Sequence, residues 1–146
     1  MKADGSFVIG EYDLLEEISS DLVQACGGRG VILQDGQPYD ISYTEGGDDL
    51  GVNVHPRTAV GFRENGDLLI VVADGRQSGY SVGMNLVDLA QVFKSLGAVS
   101  ALNLDGGGSS TFVTKNADGS LSVKNKTSNS GGALRAVGDC LILTAA

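Results

Sequence analysis

The chain has 146 residues, 42% of them hydrophobic and 19% charged, with a formal net charge of −8. That length supports one domain with its own core and is too short for two. The negative charge disfavours nonspecific binding to nucleic acid or to an anionic membrane, and no apolar run approaches the roughly 20 residues that membrane insertion needs.

The 22 glycines are about twice the usual share and predict many turns in a strand-rich fold. At the N-terminus, Met1-Lys2-Ala3-Asp4-Gly5-Ser6 lacks the apolar segment of a signal peptide. Asp13 followed by Glu16 reads as a capping box. Leu15, Ile18 and Leu22 recur at helical spacing, and Gly27-Gly28 ends that helix. Val31 to Leu33 reads as a short strand stopped by Asp35-Gly36, and the polar stretch from Thr44 to Asn53 reads as an exposed loop.

Thr58 to Arg63 and Asp67 to Ala73 flank Asn65-Gly66, a strong hairpin signal. The run Leu68-Leu69-Ile70-Val71-Val72 is apolar on both faces, as in a central strand covered on each side. Asn85 is placed to cap a helix with Asp88 three residues on. Leu86, Leu89, Ala90, Phe93 and Leu96 form its apolar stripe, and Gly97 ends it. Val99 to Leu104 reads as the next strand. Thr111 to Thr114 and Leu121 to Lys124 read as a second hairpin, and Val137 to Thr144 as a closing strand. The expected fold is α+β, one domain over residues 1–146. It has a mixed twisted sheet with a β-α-β unit, two hairpins and two main helices.

Two cysteines, Cys26 and Cys140, are expected as buried reduced thiols. With His55 as the single histidine, a multi-histidine metal site is excluded, and any metal would be a hard, oxygen-bound ion.

The richest segment is Asn103-Leu104-Asp105-Gly106-Gly107-Gly108-Ser109-Ser110-Thr111. Three successive glycines cost backbone entropy and serve either to turn N–H groups toward a ligand or to admit another group against the main chain. If strands 67–73 and 99–104 join one sheet through the helical crossover, they run parallel and share their C-terminal edge. Asp74 and Asp105 then lie on one rim, about 5 to 10 Å apart depending on whether a strand intervenes. The Asn65-Gly66 hairpin brings Arg57 near Asp74, and Arg76 follows in Asp74-Gly75-Arg76. Two acids, two arginines and a glycine-rich nest thus converge where parallel strands commonly present ligand sites. His55 reads as a loop residue, and the run is neither a dinucleotide fingerprint, a P-loop nor a hydrolase nucleophile elbow.

These residues carry a family resemblance. Pro56-Arg57-Thr58-Ala59-Val60-Gly61, Asp74-Gly75-Arg76, Gly79-Tyr80-Ser81, Asn85-Leu86 and the Asp105 run resemble, over about residues 27 to 144, the phosphodiester glycosidase family of uncovering-enzyme type. The resemblance implies hydrolysis of the bond between a sugar anomeric carbon and a phosphodiester, in an extracytoplasmic or secreted setting. It implies Asp74 and Asp105 as the catalytic pair, with Arg57, Arg76, Gly106, Gly107, Gly108, Ser109, Ser110 and Arg135 around the phosphate. No cofactor and no metal are expected. The resemblance also implies earlier strands with an Asn-Gly-Gly-aromatic motif, which residues before 27 do not carry. The segment therefore reads as the C-terminal portion of the family domain, with a half-open cleft completed by a second copy or a companion chain. Two other readings stand beside it: a noncatalytic carbohydrate- or phosphate-binding module with an incomplete site, and a divalent-metal phosphodiesterase using Asp74 and Asp105 as ligands of Mg²⁺ or Ca²⁺.

Overall fold

A computed structural model describes residues 1–10, 19–39 and 51–144. Seven strands and one α-helix are present among them: β1 (Val31–Gln34), β2 (Gln37–Pro38), β3 (Arg57–Arg63), β4 (Leu68–Ala73), α1 (Leu86–Ser95), β5 (Ala98–Asn103), β6 (Val113–Lys115) and β7 (Leu121–Val123). The first five form one sheet in the order β2-β1-β5-β3-β4, and β6 and β7 form a separate hairpin. The fold is α+β, as expected, and every neighbouring pair in the sheet is antiparallel.

The β3–β4 hairpin turns as its sequence predicts: Gly66 has a φ of 89°, and its N–H donates to Arg63 O at 2.9 Å. Asn85 caps α1, its side chain accepting from Asp88 N at 2.7 Å, and Gly97 leaves the helix with a φ of 77°. The apolar stripe of α1 covers one face of the sheet. Leu86, Leu89, Ala90 and Phe93 pack with Ile32, Leu33, Ala59, Ala98 and Ala101 in a fully buried core. Gly61 is required there, because a β-carbon would lie 2.8 Å from the Phe93 ring and 2.6 Å from Ser100 O.

The crossover from β4 through α1 to β5 sets the site. Both strands pair antiparallel with β3, so they run parallel to each other with β3 between them, about 10 Å apart. Their C-terminal ends meet the start of β3, which puts Asp74 and Asp105 on one end of the sheet.

Several expectations are corrected. Leu68–Ala73 is an edge strand among the described residues, paired there with β3 alone, and is half-buried throughout rather than covered on both faces. The N-terminal helix falls mostly on residues 11–18, outside the described residues. Ser19–Asp21 form only a 3₁₀ turn, and Leu22 bridges to Lys2 instead of extending a helix to Gly27. The polar loop at 44–53 also lies mostly outside the described residues. Residues 133–144 carry no strand and are exposed, because no ladder partner lies beside them among the described residues. Cys26 and Cys140 are exposed free thiols rather than buried ones. Partial desolvation of the Cys26 thiol by the surrounding chain, reinforced by the Asp139 charge, raises its pKa. Among the described residues no helix is long and apolar enough to cross a membrane.

Candidate functional site

Pro56, buried just ahead of β3, is the hub on which two loops close. A β-carbon on Gly75 would stand 2.6 Å from Pro56 N, and one on Gly106 would stand 2.7 Å from Pro56 O. Gly107 N–H donates to the same Pro56 O at 2.9 Å. The Asp74 and Asp105 loops can approach each other only because glycine follows each acid.

Asp74 is built into a network. Its Oδ1 accepts from Asn125 Nδ2 at 2.9 Å. Its Oδ2 accepts from the Tyr80 hydroxyl at 2.9 Å and from Lys126 N–H at 2.9 Å. Burial pushes its pKa up, but these hydrogen bonds and the Lys126 charge outweigh it and hold the carboxyl below the ordinary Asp value. Asp74 is therefore an ionised acceptor. The same hydrogen bond raises the Tyr80 pKa, so that hydroxyl stays a donor. The Lys126 ammonium lies 4.7 Å from the Tyr80 ring centroid. Asn125 also donates to Ser110 O at 3.0 Å and accepts from Phe112 N–H at 2.7 Å. One amide thus ties Asp74 to the glycine run.

Asp105 differs: it is exposed, and its Oδ1 accepts its own loop's Gly106 N–H at 2.9 Å. The three glycines after it answer to three different neighbours. Gly106 admits Pro56. Gly107 adopts a φ of 61°, with its β-carbon position 3.0 Å from Arg76 Nη1, and Gly108 abuts Asn129 Oδ1. Asn129 Nδ2 in turn donates to Gly108 O at 2.9 Å. The run then forms a 3₁₀ turn, Gly107–Ser109.

Four N–H groups along the run find partners inside the protein. The N–H groups of Gly106, Gly107, Ser109 and Ser110 already donate to Asp105 Oδ1, Pro56 O, Gly106 O and Gly107 O. The close approach of Pro56, Arg76 and Asn129 accounts for glycine at these three positions. The hydroxyls of Ser109 and Ser110 and the Oδ1 of Asn103 are buried without a hydrogen-bond partner among the described residues, a concentration of unsatisfied polar atoms beside the run.

The arginines divide sharply. Arg76 is exposed, takes a φ of 57°, lies against Gly107 and donates from Nη2 to His55 Nδ1 at 3.1 Å. An arginine cannot accept, so the imidazole Nδ1 is the acceptor, and His55 props the Arg76 guanidinium. Arg57 is 1% exposed, and it donates from Nε to Met84 O at 2.8 Å and from Nη2 to Asn53 O at 3.0 Å. It pairs with Ala73, one residue short of Asp74, and directly paired residues share a face. Arg57 therefore sits on the α1 side with Ala59. Asp74 continues the opposite face, where Ile70 and Val72 line a hollow with it. Expecting the Arg57 side chain beside Asp74 overlooked that alternation. Arg135 lies in the exposed stretch, two residues beyond Ala133, whose carbonyl is held by Asn129 Nδ2 at 3.0 Å.

Asn125, Lys126, Asn129, His55 and the role of Tyr80 were not foreseen. The signal was present in part: Asn125 to Ser130 is a polar run directly after the second hairpin. Among the described residues no three His, Cys, Asp or Glu side chains cluster as a ligand set for a metal.

Residues 1–144 match the phosphodiester glycosidase family. The chain belongs to that family. It is 33% identical over 126 residues to mouse N-acetylglucosamine-1-phosphodiester alpha-N-acetylglucosaminidase, covering 77% of this chain and 24% of that one. It is 38% identical over 100 residues to the SPbeta prophage-derived protein YomE of Bacillus subtilis, covering 64% and 15%. The catalytic domain of zebrafish N-acetylglucosamine-1-phosphodiester alpha-N-acetylglucosaminidase, auto-inhibited by its pro-peptide, superposes with a TM-score of 0.59 at 30% identity, covering 75% of this chain and 38% of that one. The chain thus spans about a quarter or less of the length of these curated relatives.

Proposed function

We propose that this phosphodiester glycosidase chain carries the catalytic rim for hydrolysing a sugar-1-phosphodiester at the anomeric carbon. The observation that supports this reading is the contrast between the two acids on one end of the sheet. Asp74 is fixed and ionised by three hydrogen bonds, while Asp105 is exposed two strand-widths away. Two carboxylates with different environments are what glycoside chemistry uses.

In this reading Asp105 takes a proton from the attacking water, whose oxygen bonds to the anomeric carbon. The carbon–oxygen bond to phosphate breaks, and its electron pair leaves with a phosphate monoester. That leaving group, with a second pKa of about 6, needs little protonation, so no strong general acid is required. Asp74 steadies the positive charge developing on the sugar. Arg76, poised on Gly107, is the guanidinium for the phosphodiester anion and locally offsets the chain's net charge of −8. Arg57 serves as a buried strut holding the Met84 and Asn53 carbonyls against the start of β3.

Product analysis tests the reaction type. With an alkyl sugar-1-phosphodiester, free sugar and alkyl phosphate are the expected products, and EDTA should not change the rate. Release of sugar-1-phosphate and alcohol would mean cleavage at phosphorus and would overturn the reading.

A further inference from the structure

Beside Asp74, on the sheet face opposite α1, lies a hollow of about 330 Å³ lined by Ile70, Val72, Asp74, Phe112, Lys124 and Asn125. Three of the six lining residues are apolar, Lys124 adds a cationic donor, Asn125 has both amide N–H groups committed to Asp74 and Ser110, and the last is the fixed acid of the rim. The mechanism above uses only Asp74 and Asn125.

The hollow is assembled from separate parts of the chain. Ile70 and Val72 come from edge strand β4. Phe112 precedes β6, and Lys124 and Asn125 follow β7. Phe112 is held at both ends of its peptide, its N–H donating to Asn125 Oδ1 at 2.7 Å and its O accepting from Lys124 N–H at 2.8 Å. Its side chain nevertheless stays 42% exposed. A pinned backbone that presents an aromatic ring partly to water has already lost much of the freedom that a binding event would remove. A ligand that covers the ring gains its apolar burial at low entropic cost.

Asp74 lines this hollow and also belongs to the rim, so a molecule reacting at the rim has the hollow within its reach. We infer that the hollow receives the aglycone, the group esterified to the far side of the phosphate. Given Ile70, Val72 and the exposed Phe112 ring, the preferred aglycones are aryl-alkyl or branched alcohols. This inference rests on the phosphodiester glycosidase reading of the rim. A hollow of about 330 Å³ falls at the small end of ordinary ligand pockets.

The test compares benzyl and methyl esters of one sugar-1-phosphate. Both alcohols are alkyl, so the departing phosphate monoesters have nearly equal basicity. A tenfold or larger kcat/KM advantage for the benzyl ester is expected, carried mainly by KM. In Phe112→Ala that advantage should fall to about unity. Equal kcat/KM for the two esters overturns the inference while leaving the glycosidase reading intact, and so does an advantage undiminished in Phe112→Ala. If neither ester is hydrolysed, the glycosidase reading fails, and the hollow is judged by binding alone. Benzyl phosphate titrated into ¹⁵N-labelled chain should then shift the Phe112 and Val72 amides and bind at least tenfold tighter than methyl phosphate. Absence of those shifts overturns the inference.

Discussion

Arg76 Nη2 stands 3.1 Å from His55 Nδ1, while its Nη1 occupies the space that a side chain on residue 107 would need. Arg76 itself sits at a φ of 57°, a left-handed conformation that costs a non-glycine residue about 1 kcal/mol. A strained arginine propped on a histidine and a glycine is the geometry expected if its guanidinium serves the proposed phosphodiester site. Arg76→Gly should therefore keep or slightly raise the thermal midpoint, since glycine removes the strain, while raising KM for a phosphodiester about tenfold. Calorimetry with steady-state kinetics measures both. A fall in stability with unchanged KM would show that Arg76 is structural only.

Asn125 is the joint between Asp74 and the glycine run. Asn125→Asp turns a donor toward Asp74 Oδ1 and Ser110 O into an acceptor and adds a like charge. An expected loss of about 1–3 kcal/mol follows from the unsatisfied groups, together with a raised Asp74 pKa. Chemical denaturation reads the first and carboxyl-resolved NMR titration the second. An unchanged Asp74 titration would remove Asn125 from the network.

Acid sensitivity follows from Asp74. Its folded pKa is lowered by the Lys126 N–H, Asn125 and Tyr80 bonds despite burial, so its contribution to stability is complete above the ordinary Asp value of about 3.9. That contribution is lost as pH falls through the lowered folded value. Asp74→Asn should flatten the thermal midpoint between pH 4 and pH 2 relative to the parent chain. Parallel profiles across that range would contradict the assignment.

The glycines are separable by what they meet. Gly106→Ala puts a β-carbon 2.7 Å from the Pro56 carbonyl and is expected to cost about 1–3 kcal/mol through backbone displacement. Gly138→Ala, with nothing within 4 Å, should be close to neutral. Equal midpoints for the two variants would mean that the Asp105 loop does not close on Pro56.

β4 leaves one edge unpaired among the described residues, a template for pairing with a further strand. We expect light scattering to give a mass above the monomer, rising with concentration, or a companion segment to be needed for full activity. A monodisperse, fully active monomer would contradict this.

Local patterns carried much of the fold. Asn65-Gly66, Asn85 with Asp88, and the stripe from Leu86 to Phe93 encode their turn, cap and helix within a few residues. The shared rim of Asp74 and Asp105 followed from chain connectivity, although β3 between their strands did not. What sequence could not supply was phase and long-range pairing. Arg57 and Asp74 are neighbours along the ladder but lie on opposite faces. Asn125, 51 residues from Asp74, is brought there by the β6–β7 hairpin, whose docking has no local signature. Val137 to Thr144 has strand-like residues, but strand formation depends on a partner, and none lies beside it among the described residues.

The proposed mechanism makes Asp105 the reactive carboxylate on a rim where Asp74 is fixed. Steady-state hydrolysis of an alkyl sugar-1-phosphodiester by Asp105→Asn, compared with the unsubstituted chain under identical conditions, tests it most directly. If Asp105 is the base, kcat falls by about a hundredfold or more, as expected for loss of an acid–base group, with KM and the thermal midpoint little changed. A kcat within a factor of two or three of the parent would contradict it.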